Sequence, residues 1–190
     1  METLGPKIVV PRLRGRFGNP YLYAETTPST QHMFGTDHHE GAVAVANEQT
    51  QGHGRLGRMW ASPPGVNVYC SVLLEPAVET PRLPELSIVA GEACAEAIAR
   101  VTGLEPAIKL PNDVLIGGRK VAGILAEARD SRVILGIGVN VNVDPADLPK
   151  GLRTPATSLA AELGRPVDRV EVLVTLLEAL EQHYARWLAR

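Results

Sequence analysis

Two stretches of this sequence bring cations, glycines and a carboxylate close enough together to act on a charged substrate. The first is Gly52-His53-Gly54-Arg55-Leu56-Gly57-Arg58-Met59-Trp60. Glycine lets backbone N–H groups approach an anion, and two guanidinium groups add charge and forked donors. The stretch also matches the dinucleotide fingerprint G-x-G-x-x-G, which requires a helix opening directly behind it. Pro63-Pro64-Gly65 leaves no room for that helix, so the fingerprint is rejected. An anion-binding loop and a solvated surface loop remain, and the density of arginine and tryptophan favours the first. The second stretch is Lys109-Leu110-Pro111-Asn112-Asp113, followed by Arg119-Lys120-Val121-Ala122-Gly123. Displacement at phosphorus needs cations near the moving charge and commonly a carboxylate for Mg²⁺. Taken alone, the same residues also read as a turn and a hairpin with a solvated lysine.

A third segment, Gly136-Ile137-Gly138-Val139-Asn140-Val141-Asn142, is a strand interrupted by two glycines. Such glycines mark close approach of a ligand or backbone, or a β-bulge. His38-His39 would point apart on extended chain and does not suggest a metal site. Cys70 and Cys94 sit in apolar strand and helix patterns and read as core residues. There is no G-x-S-x-G elbow of a serine hydrolase.

The elements that must hold these stretches follow from hydrophobic period and turn chemistry. Residues 42–46 and 66–74 read as buried strands flanking the first loop. Leu86, Val89, Ala90, Ala93, Ala97 and Val101 recur at helical spacing over 83–102. Strands over 114–116 and 121–127 flank Gly117-Gly118, a hairpin turn, and Asp130-Ser131 reads as a second turn into a strand over 133–143. Asp168 with Glu171 is an N-cap and reciprocal partner, opening a helix whose apolar face is Leu173, Leu176, Leu177, Leu180, Tyr184 and Trp187. The expectation is one domain over residues 1–190, with an antiparallel meander packed on a helix.

The 19 basic and 21 acidic residues, net charge −2, lack the basic balance of a dedicated nucleic-acid binder. Two cysteines without ligand spacing suit a reducing, cytoplasmic home. No run reads as a signal peptide or membrane anchor.

Taken in order, these segments resemble the catalytic domain of biotin protein ligases. The resemblance rests on Glu48 to Trp60, Ser62-Pro63-Pro64-Gly65, Lys109 to Asp113, Arg119 to Leu125 and Gly136 to Asn142. Ser29-Thr30-Gln31 is similar to the family's Ser-Thr-Asn, and Ala156-Thr157-Ser158-Leu159 and the last helix also match. It covers roughly residues 20–190. It implies an α/β fold of the α+β kind, a mixed and largely antiparallel sheet flanked by helices, class II aminoacyl-tRNA synthetase-like. It implies a ligase that forms biotinyl-AMP from biotin and ATP with Mg²⁺, then biotinylates a lysine of a biotin carboxyl carrier protein. Ser29, Thr30, Gln31 and Gln49 would line the biotin pocket, with His53, Gly54 and Arg55 in a loop over it. Lys120 would meet carboxylate and α-phosphate, Gly123 would leave room, and Asp113 would position Mg²⁺. Lys120, Arg55 and Asp113 would be catalytic, while Arg55, Arg58, Trp60, Asn112 and Asn140 would serve the nucleotide.

This sequence has His53 where the family usually has arginine and Leu110 where it usually has tryptophan. An N-terminal helix-turn-helix and a C-terminal barrel domain, both found in relatives, are not expected. Neither is binding to nucleic acid or membrane, while a homodimer is compatible with the sequence. A lipoate or octanoate ligase or transferase of related fold is the alternative enzyme, and a biotin-binding regulatory protein the alternative without catalysis.

Overall fold

The computed structural model describes residues 3–129, 131–151 and 153–190. Seven strands form one sheet: β1 (Tyr21–Thr27), β2 (Val43–Gln49), β3 (Val68–Leu74), β4 (Ala107–Lys109), β5 (Asp113–Ile116), β6 (Arg119–Arg129) and β7 (Arg132–Val139). Their spatial order is β1-β2-β3-β7-β6-β5-β4. Only β1 and β2 run parallel; the other neighbours are antiparallel. The helices are α1 (Pro6–Val9), α2 (Leu86–Thr102), α3 (Leu159–Leu163) and α4 (Arg169–Leu188).

Alternation along the central strands separates two faces. Val68, Cys70, Val72 and Leu74 of β3 join Leu135, Ile137 and Val139 of β7 in one buried core with α2 and α4. The helix expected over 83–102 is observed over 86–102, with residues 83–85 belonging to a 3-10 helix (Thr80–Glu85) before it, and α2 ends on Gly103 in the left-handed conformation (φ 73°). α4 begins as expected: the Asp168 carboxylate accepts the N–H groups of Val170 and Glu171. Tyr184 and Trp187 lie in the core, and the Trp187 indole N–H donates to Glu85 at 2.7 Å.

The hairpin at Gly117-Gly118 is present, with positive φ at both glycines. Asp130 lies outside the described residues. Two expectations are corrected. β7 ends at Val139 rather than 143, because after Asn140, whose N–H still donates to the Val121 carbonyl of β6, the chain leaves the ladder and bonds to Val66, Asn67 and the first residues of α3. Gly136 and Gly138 are not a bulge, since the register with β3 and β6 runs through both without a break. The register shift falls between Val114 and Leu115 instead.

Among the described residues no helix is long and apolar enough to cross a membrane. Cys70 and Cys94 are free and buried, and desolvation pushes both thiols up to about 12 from 9.0, with Cys70 adding a smaller repulsion at Cys94. The folded chain should therefore resist a thiol reagent that labels it readily in denaturant. Raised folded values make the stabilisation complete below pH 9 and lost as pH climbs towards 12. Both thiols add to a loss that grows with pH across that window. The midpoint of urea unfolding should fall between pH 9 and 11; thiols reactive in the native state would contradict this burial.

Candidate active site

The face of the sheet away from α2 and α4 carries a cavity of about 330 Å³. Every residue to which the resemblance gives a site role lines it: Ser29, Thr30, Gln31, Gln49, His53, Gly54, Arg55, Arg58, Trp60, Asn112, Asp113, Lys120, Gly123 and Asn140. They arrive from five separate parts of the chain, so tertiary folding alone assembles them.

One end is a buried polar pocket. Ser29 caps a short 3-10 turn, accepting the Gln31 N–H, and holds Thr30 and Gln31 against the sheet; all three are buried. The Gln49 side-chain oxygen accepts the Thr30 N–H at 2.9 Å, and its amide donates to Ser62 Oγ at 2.9 Å. Thr30 Oγ1 also meets Ser71 Oγ at 2.7 Å. Gln31 Nε2 donates to the Leu125 carbonyl at 3.2 Å, while its Oε1 is buried without a protein partner.

The floor is made by the glycines of β6 and β7. Gly123 and Gly138 are cross-strand partners, and the Trp60 indole lies on both. A Cβ at Gly138 would come within 2.5 Å of the indole, and one at Gly136 within 2.6 Å of Gln31 Nε2. The glycines thus admit two of the site's own side chains.

At the other end Lys120 Nζ is 2.6 Å from Asp113 Oδ1 and 5.3 Å from the centre of the Trp60 ring. The cavity is also lined by Arg55, Arg58, Lys109 and Arg153, so among the described residues cations outnumber the one lining carboxylate and the site favours anions. Asn112 uses its amide N–H on the Ile124 carbonyl at 2.9 Å, which pins β6. Asn140 Nδ2 donates to the Thr157 carbonyl at 3.0 Å, leaving Oδ1 buried without a protein partner, like Trp60 Nε1. Buried unpaired polar atoms cost on the order of 1–3 kcal/mol each, which a polar ligand offsets.

The loop over 52–60 is closed by a bridge between His53 and Met59 and by Gly54 N–H donating to the Arg58 carbonyl. It is a 3-10 turn with no helix behind it, consistent with rejecting the dinucleotide fingerprint. Leu56 takes a positive φ of 59°, and Leu56 and Met59 stand in solvent at the cavity mouth, as does Leu110. The His53 ring stacks on His32 and its Nε2 lies 3.6 Å from Glu127, so this imidazole is turned to a carboxylate. Sequence reading missed Tyr69, Leu148, Pro149, Arg153 and Thr154 in the lining. Leu148, Pro149, Arg153 and Thr154 lie in a stretch without periodic signal and reach the cavity only through the return of the chain towards α3.

Comparison with known proteins then places the molecule. The model of the biotin/lipoate A/B protein ligase family matches residues 23–144. The bifunctional ligase/repressor BirA of Bacillus subtilis is 37% identical over 180 residues, covering 90% of this chain and 55% of that protein. A biotin acetyl-CoA-carboxylase ligase of Mycobacterium tuberculosis is 38% identical over 154 residues, covering 78% and 56%. The biotin protein ligase from Aquifex aeolicus in complex with biotin and ATP superposes with a TM-score of 0.81 at 33% identity, covering 90% of this chain and 72% of that one. This chain belongs to the biotin/lipoate A/B protein ligase family. Its mixed, mostly antiparallel sheet flanked by helices is the class II aminoacyl-tRNA synthetase-like fold of the biotin ligases. The chain spans just over half the length of the first two of these relatives.

Proposed function

We propose that this chain activates biotin with ATP and transfers it to a lysine of a biotin carboxyl carrier protein. The observation that carries the reading is the convergence of the polar pocket around Ser29, Thr30, Gln31 and Gln49 with the cationic end around Lys120 in one cavity. The pocket would take the polar ring system of biotin, whose carboxylate then points along the glycine floor to Lys120. A carboxylate oxygen attacks the α-phosphorus of ATP, the bond to the bridging oxygen breaks, and pyrophosphate leaves. The carrier's neutral amine attacks the carbonyl of the mixed anhydride, losing a proton as AMP departs. Lys120 and Arg55 stabilise charge on the α-phosphate, and Arg58, Trp60, Asn112 and Asn140 serve the nucleotide. His53 and Gly54 belong to the loop that limits water access to the adenylate, and Gly123 keeps the floor open.

Among the described residues no group of three or more His, Cys, Asp or Glu could hold a metal. Asp113 alone fits Mg²⁺, an ion that commonly takes one or two carboxylates together with substrate phosphates. There it would neutralise phosphate charge and orient the pyrophosphate leaving group. The described residues act as a single catalytic domain in this reading, and the buried free thiols suit a reducing cytoplasm. The test is ATP–pyrophosphate exchange that depends on biotin and proceeds without carrier. Exchange driven by lipoate instead would move the chain to the lipoate branch of the family, and biotin binding without exchange would make it a binding protein.

A further inference from the structure

Lys120 sits where β6 has lost β7 as its neighbour. Pairing of β6 with β7 stops at Ala122 and Val139, while on the other side Lys120 pairs with Leu115 of β5, just past a register shift. On the β7 side its main chain is held by residues 155–157: the Lys120 N–H donates to the Pro155 carbonyl at 2.7 Å, and its carbonyl accepts the Thr157 N–H at 2.9 Å. The Thr157 carbonyl also accepts Asn140 Nδ2. Thr157 is therefore bonded to both Lys120 and Asn140. Its own anchor is Glu162 of α3, whose Oε1 accepts the Thr157 hydroxyl while Oε2 accepts Arg119 Nη2 at 2.7 Å. The Glu162 side chain is only 10% exposed, and Thr157 is buried, so this anchor is shielded from water.

We propose that Glu162 is a positioning residue of the ligase reaction, acting through the Thr157 hydroxyl to set the main chain of Lys120 and the amide of Asn140. This rests on the role assigned to Lys120 above. A lysine displaced by a fraction of an ångström still binds biotin in the pocket at the far end of the cavity but stabilises the transition state poorly. Arg119 is half exposed and bonds to the other oxygen, so its ion pair contributes little to this function.

The experiment is biotin-dependent pyrophosphate exchange by the whole chain, with rates normalised to titrated biotin sites so that loss of folded protein is not counted. Glu162→Ala and Thr157→Val should each lower kcat about tenfold or more while the biotin Kd changes less than about threefold. The double variant should be no slower than the worse single one, as expected for two residues acting as a unit. Thr157→Ser, which keeps the hydroxyl, and Glu162→Gln, which keeps an acceptor for it, should recover most of the rate. Arg119→Ala should leave exchange near the unsubstituted level. Additive losses, no recovery with Thr157→Ser, or a loss with Arg119→Ala matching that of Glu162→Ala would each overturn the proposal. Lys120→Ala in the same assay separates the two readings. Full exchange by that variant removes the role of Lys120 itself, whereas loss there with full activity in Thr157→Val and Glu162→Ala removes only the positioning role.

Discussion

Lys120→Ala should lower biotin-dependent pyrophosphate exchange by on the order of 10²–10³-fold, the range for losing one preorganised group that stabilises transition-state charge. Biotin affinity should fall with it, because the same ammonium meets the biotin carboxylate in the ground state. Asp113→Ala should behave differently. The 2.6 Å ion pair shows that Asp113 holds the ammonium in place before substrates enter, so its loss frees the lysine without touching the polar pocket. Exchange and its magnesium dependence should suffer while biotin still binds. Both effects are read from kcat, the biotin Kd and a magnesium titration. Small, equal changes in the two variants would place the phosphate elsewhere in the cavity.

Gly138→Ala should disturb the site through Trp60 alone. The added methyl would come within 2.5 Å of the indole, and the ring cannot yield by rotating an end atom as a long side chain could. The backbone pairing of residue 138 with Tyr69 and Gly123 needs no missing Cβ, and the sheet should hold. The indole must then lift from the floor, or the strand must shift at a cost of roughly 1–3 kcal/mol. Biotinyl-AMP should bind at least about tenfold more weakly. Tryptophan emission should move to longer wavelength, and Trp60 is the source of that shift because Trp187, on α4, is buried in the core away from the cavity. Unchanged emission and unchanged affinity would show that Trp60 does not rest on β6 and β7 in solution.

Some of this molecule is written locally in its sequence. The helical period expected over 83–102, the cap at Asp168 and the Gly117-Gly118 turn each depend on residues a few positions apart, and each is found, the helix starting three residues later at Leu86. The ordered motifs also pointed to the residues that line the cavity, since close approach of charge and backbone requires particular residue types at short spacing. The parallel strand β1 was not visible, because its residues are half-exposed at a sheet edge and do not alternate cleanly. The two glycines of β7 were read as room for a ligand or a bulge, and which side chains they admit depends on Trp60 and Gln31 arriving from far along the chain. The direction of His53 was likewise set by Glu127 and His32, neither of them in its loop. Composition and local pattern determined which groups this protein has for handling an acid and a phosphate. Only the tertiary structure decided that Lys120 is paired with Asp113 and steadied through Thr157 and Glu162, because contacts between residues distant in sequence exist only once the sheet has closed.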